Sequence, residues 1–95
     1  MINKKMMQEM QKNIEKKIME SQSFEVEAES GAGLVKVIIR GNSTIKELKI
    51  DDSLLSEDKE IMEDLISAAV NKGLKDIEVK KQEHMGDFGG LNGLF

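Results

Sequence analysis

FEVEAESGAGLVKVIIRG, Phe24 to Gly41, decides the fold. Acids occupy alternate positions in its first half, at Glu25, Glu27 and Glu29, and apolar residues dominate its second half. Alternation with a period of two is the signature of a strand with one wet face. Ser30-Gly31-Ala32-Gly33 between the two runs supplies glycines that tolerate positive φ, so the segment reads as a β-hairpin. A four-residue loop at Ser30–Gly33 sets Glu29 opposite Leu34, Ala28 opposite Val35, Val26 opposite Val37 and Phe24 opposite Ile39. One face is then continuously apolar. The other face pairs Glu27 with Lys36 and Glu25 with Ile38. A slip of one residue would set the acids against the valines, which specifies the register.

Gly41-Asn42 marks a second turn, and STIKELKI (43–50) reads as a third strand. Ile45 and Leu48 lie three apart rather than two, so a β-bulge is expected. Upstream, residues 2–21 carry Met6, Met10, Ile14 and Ile18 at intervals of four, with Met7 beside them, which predicts an amphipathic helix. Lys5, Lys12 and Lys16 fall together on the opposite side. Taken alone, they describe a solvated face laced with weak i,i+4 ion pairs better than a phosphate-facing stripe. Downstream, Ser56 reads as an N-cap for a helix running to about residue 84 or 85, with Glu57 and Asp58 in the first turn where the helix dipole favours acids. Its apolar residues narrow to a seam of Ile66, Val70, Gly73 and Ile77. That spacing predicts a partner helix packing closely at Gly73. GDFGGLNGLF (86–95) reads as a flexible tail whose Phe88, Leu91, Leu94 and Phe95 offer a docking point for a protein partner.

A chain of 95 residues, with three Phe, no Trp and no Tyr, has little with which to fill a core. The expected helices, ~42 Å and ~30 Å at 1.5 Å per residue, outrun a six-residue strand of ~20 Å. The expectation is therefore an α+β chain in the order α-β-β-β-α. It has a small antiparallel sheet, long N- and C-terminal helices projecting from it, and a symmetric dimer. One domain is expected over residues 1–85, with the tail at 86–95.

The absence of Cys excludes disulfides and thiolate metal sites. The single His, His84, has no Cys partner and no Ser-His-Asp arrangement, so catalysis is not expected. The acids of residues 51–64 do not follow an EF-hand pattern and are better explained by helix capping and the dipole. No cofactor or metal is expected, and no apolar run is long enough to span a membrane. The N-terminus lacks the apolar core of a signal peptide, so a cytoplasmic location is expected. Net charge is −4, unevenly spread: +2 over residues 1–22, −6 over residues 51–64 and +1 over residues 72–84.

SGAGLVKV (Ser30–Val37), LKIDDSLL (Leu48–Leu55) and DKEIMEDLISAAVNKGL (Asp58–Leu74), in that order, resemble the YbaB/EbfC family of small bacterial nucleoid-associated proteins. The likeness covers about Phe24 to Ile77. The Lys/Met/Gln-rich first helix and the Gly-rich tail are also similar to the family. The chain departs from the pattern in lacking a Pro before the SLL segment and in carrying Gly73 where Ala is common. The resemblance implies a dimer joined through its central part, with helices projecting like tweezers. It also implies binding of double-stranded DNA with little sequence preference, at the nucleoid, in nucleoid organisation or gene expression. Charge and helix placement then nominate Lys5, Lys12, Lys16, Lys75, Lys80 and Lys81 for DNA contact, with Ile66, Val70, Gly73 and Ile77 at the dimer interface. The acidic net charge sustains a second expectation, a protein-interaction module of replication or recombination with only secondary DNA contact.

Overall fold

The computed structural model describes residues 4–86. Its elements are α1 (Lys4–Gln22), β1 (Glu25–Ser30), β2 (Val35–Arg40), β3 (Ile45–Ile50), a short 3-10 helix (Asp52–Ser56) and α2 (Lys59–Gly86). The strands form one antiparallel sheet in the order β1-β2-β3. The α-β-β-β-α chain and its small sheet thus match the expectation from sequence. The described chain measures 66 × 21 × 16 Å, with a radius of gyration of 18.7 Å. A compact chain of this length would have about 12 Å. The tail positions 87–95, including the docking residues nominated there, lie outside the described residues.

The hairpin faces are as the alternation implies, but the register is two residues away from the expected one. Ser30 pairs with Val35, Ala28 with Val37, Val26 with Ile39 and Glu27 with Ile38. A shift of two preserves every face and changes every partner. The cause lies in the loop. Ser30 remains extended and its hydroxyl donates to the Leu65 carbonyl of α2. The left-handed stretch falls on Gly31, Ala32 and Gly33, with φ of 61°, 55° and 90°. The loop is therefore 31–34 rather than 30–33, closed by Leu34 N–H donating to the Gly31 carbonyl. The bulge expected in β3 is present. Ile38 pairs with Glu47, yet Ile39 pairs with Ile45, so one residue of β3 is extra.

α2 packs on β1 and β2. Ala28, Val35, Val37 and Ile39 from the sheet meet Ala69 and Ile77 from α2, and Leu54 of the 3-10 helix completes the buried set. Gly73 lets α2 approach the sheet. A Cβ built there would lie 2.7 Å from Ile39 Cδ1. The close approach predicted for a partner helix is thus made by the chain's own sheet. Gly73 and Ile77 are buried on the sheet-facing side of α2, and Ile66 and Val70 are half-buried against the same core.

Ser56 does not cap α2. Its hydroxyl donates to the Ser53 carbonyl inside the 3-10 helix, and α2 starts at Lys59, after Asp58, whose carbonyl accepts from the Ile61 and Met62 N–H groups. The intervening turn is capped by Asp51, whose carboxylate accepts from Ser53 N–H at 2.9 Å. That hydrogen bond holds the Asp51 carboxyl below its ordinary range.

Candidate nucleic-acid interface

α1 is the element least explained by the core. Of its 19 residues, only Ser21 is buried. The Met6-Met10-Ile14-Ile18 stripe, which the periodicity assigns to an inner face, is largely open. Met6, Met7, Met10 and Ile18 are each more than two-fifths exposed, and Ile14 is half-buried. The helix projects from the body and is held at its C-terminal end.

Lys5, Lys12 and Lys16 are all exposed on this projecting helix. Their positions differ by no more than ~40° around the helix axis, and they span ~16 Å along it. Duplex DNA carries one phosphate charge per ~1.7 Å of axis with both strands counted, so a segment as long as this row carries about ten phosphates, of which one side faces the helix. Glu9, Glu15 and Glu20 are interleaved along the same helix. Pairs between exposed lysines and acids of this kind are weak and leave the ammonium groups hydrated.

The second nominated trio is not assembled in this way. Lys75, Lys80 and Lys81 point ~100° or more apart around α2. Lys75 is exposed. Lys80 Nζ donates to the Glu25 carbonyl at 3.2 Å and sits 5.2 Å from the centroid of the Phe24 ring. Lys81 pairs with Glu78 at 3.5 Å, with its side chain only 28% exposed. Lys80 therefore ties α2 to the start of β1, which sequence position alone does not show, and Lys81 is engaged within α2 itself.

The sheet's outer face is charged on both sides of neutrality. Lys46 Nζ bonds Glu25 Oε1 at 2.8 Å, which holds the Glu25 carboxyl below its ordinary range. Glu27, Lys36, Glu47 and Lys49 surround the half-buried Ile38. The inner face is covered over β1 and β2 but not over β3. Ile45 and Leu48 share the core-facing side with Ile39 and Val37 and yet are 48% and 41% exposed.

His84 is largely enclosed, with its side chain 17% exposed. Its ring stands edge-on to Phe24, 4.8 Å between centroids, and its Nε2 lies 3.4 Å from Glu20 Oε2. Sequence reasoning missed this meeting of α1, β1 and α2, because no local pattern links residues sixty positions apart. Among the described residues no group of three or more His, Asp or Glu is arranged to hold a metal, and no helix is long and apolar enough to cross a membrane.

A model of the YbaB/EbfC DNA-binding family matches residues 2–91. A nucleoid-associated protein of Francisella philomiragia is 52% identical over 71 residues, which cover 75% of this chain and 64% of that protein. A nucleoid-associated protein of Francisella tularensis subsp. novicida is 52% identical over 71 residues, covering 75% of this chain and 63% of that one. The chain thus spans a little under two thirds of these relatives. The crystal structure of an uncharacterized Helicobacter pylori protein superposes with a TM-score of 0.69 at 30% identity, covering 86% of this chain and 96% of that one.

Proposed function

The chain belongs to the YbaB/EbfC DNA-binding family, and from that premise we propose that it is a nucleoid-associated DNA-binding protein acting as a homodimer. It contacts the phosphate backbone of double-stranded DNA through the lysines of α1, with little dependence on sequence. One observation carries this reading: Lys5, Lys12 and Lys16 share one exposed face of a helix that the chain's own core leaves almost untouched. Phosphate contacts position a protein on the duplex without reading bases, which suits a row of point charges lacking the planar fork of Arg.

The second copy is supported by unfinished burial. The apolar edge of the inner face at Ile45 and Leu48 is left open in one chain. The half-buried Ile66 and Val70 keep some surface for a partner, whereas Gly73 and Ile77 are already used. A dimer closed over this edge presents two α1 helices, and two rows of lysines offset the net charge of −4 per chain locally. The cellular role is compaction or organisation of the nucleoid, in the cytoplasm, with an influence on gene expression through occupancy.

The test is a titration of unrelated duplex sequences across a salt series. Affinity should be similar for all of them, and log K should fall linearly with log salt, with a slope near −0.9 per neutralised phosphate. A folded protein that fails to bind any duplex at low salt would remove the assignment.

A further inference from the structure

The C-terminal end of α1 meets the body at a junction that none of the core residues shares. Ser21, its one buried residue, donates its hydroxyl to the Ile18 carbonyl at 2.7 Å. Gly41, at the β2–β3 turn, lies against the last turn of α1. A Cβ at residue 41 would stand 1.8 Å from the Ser21 carbonyl oxygen, so no other residue fits without moving the helix. Gly41 N–H donates to the Phe24 carbonyl at 2.7 Å, and Phe24 N–H donates to the Ser21 carbonyl at 3.3 Å. Chain and turn are thereby stitched across the end of α1. On the other side Phe24 stands edge-on to His84, which faces Glu20. Ile18, Ser21, Gly41 and Met85 line an open groove of about 510 Å³ beside this junction.

The His84 Nε2 atom is close to Glu20 in distance but not aligned for a hydrogen bond, and it is the buried side-chain polar atom left without one among the described residues. A group enclosed in this way is ordinarily satisfied. Glu20 from α1 and Phe24 before β1 face the imidazole, and Lys80 and Lys81 precede His84 by four and three residues on α2. Lys80 is held by the Glu25 carbonyl and Lys81 by Glu78. The β2–β3 turn lines the neighbouring groove with Gly41, Asn42 and Ser43, none of them charged. Among the described residues, Glu20 is the carboxylate within 4 Å of the ring.

We propose that this junction is an elbow that sets the direction of α1, with Gly41 fixing its angle and the His84–Glu20 contact tightening it when the imidazole is protonated. Gly41, Phe24, His84 and Glu20 are then positioning residues for the lysines of α1. The link to DNA, though not the elbow itself, rests on the reading of α1 as the DNA-contacting arm. The imidazolium attracts the carboxylate and supplies the charge-assisted hydrogen bond that the neutral ring does not make. The helix should therefore be held more narrowly when the imidazole carries a proton.

The chain has no Cys, so labels report only where they are placed. Spin labels at Gln11→Cys on α1 and Lys49→Cys on β3, diluted with unlabelled chain, give an intrachain distance distribution by pulsed EPR. The expected native distribution is narrower at pH 6 than at pH 8, and His84→Gln removes that difference. Gly41→Ala should shift or broaden the distribution at both pH values and weaken duplex binding about tenfold, the scale of one or two displaced phosphate contacts. Circular dichroism of both variants checks that the sheet survives. A Gly41→Ala distribution identical to the native one overturns the elbow, as does a pH response that persists in His84→Gln. A protein that shows the expected distances but binds no duplex supports the elbow and removes the DNA reading alone.

Discussion

The body and the arm of this molecule are built on opposite terms. In the body, Val35, Val37, Ile39, Leu54, Ala69 and Ile77 are essentially inaccessible to water, and α2 is drawn so close to the sheet that residue 73 is a glycine. In the arm, a helix of 19 residues buries one serine and leaves its methionines in water. Most helical stability in proteins comes from tertiary packing of one face, and α1 has little of it within one chain. The body is thus stabilised by burial within one chain. The arm's order depends on the junction at Gly41 and Ser21 and on whatever it grips. Met suits that condition, since its unbranched thioether adapts to surfaces of several shapes.

Substitutions can break this contrast, the largest effect first. Ile39→Ala removes a fully buried side chain at the centre of the sheet and should cost about 3–5 kcal/mol in urea unfolding. Gly73→Ala comes next. Its Cβ would intrude on Ile39, and the overpacking should cost about 1–3 kcal/mol. Had a partner helix occupied that position, the same change would alter assembly and leave the monomer fold intact, so unfolding and light scattering on one variant decide between the two. Met10→Ala on the arm should change stability by under ~0.5 kcal/mol, the range of open surface sites. A loss comparable to that of Ile39→Ala would mean that a second copy covers the arm, and the contrast would dissolve.

The smallest effect is electrostatic. Glu25 and Asp51 have carboxyls held below their ordinary values, by Lys46 and by the Ser53 N–H respectively. A depressed folded-state value stabilises the fold above the unfolded value and is lost as pH falls through the folded one. Both groups are solvent-exposed, so a slight decline is expected to begin below about pH 4.5, the ordinary value of a Glu carboxyl. Glu25→Gln should remove its share of that decline in a thermal melt followed against pH.

Much of this was legible in the sequence because it depends on local period. Alternating acids gave the hairpin faces, and three-residue spacing gave the bulge of β3. The hairpin register was misjudged by two, because the Ser30 hydroxyl is recruited by Leu65, thirty-five positions away, and no local rule sees that contact. The spacing of the helical seam implies a close approach at Gly73, and the neighbour there is the chain's own sheet rather than another helix. A glycine's spacing says that something comes near and not what it is. The lysines of α1 were legible as a row because one helix carries them all. Lys80 was not, since its engagement with Glu25 and Phe24 depends on how α2 crosses the sheet, whereas the Lys81–Glu78 pair is local to α2.

The most direct measurement places the two lysine sets side by side. Lys12→Glu/Lys16→Glu and Lys80→Gln/Lys81→Gln would each be titrated with duplex DNA through a salt series, with sheet content checked by circular dichroism. The arm variant should lose most of its affinity and flatten the salt slope by about two units, at roughly one unit per phosphate contact. The body variant should keep a nearly native slope. Equal slopes in the arm variant and the native protein would contradict DNA contact through α1.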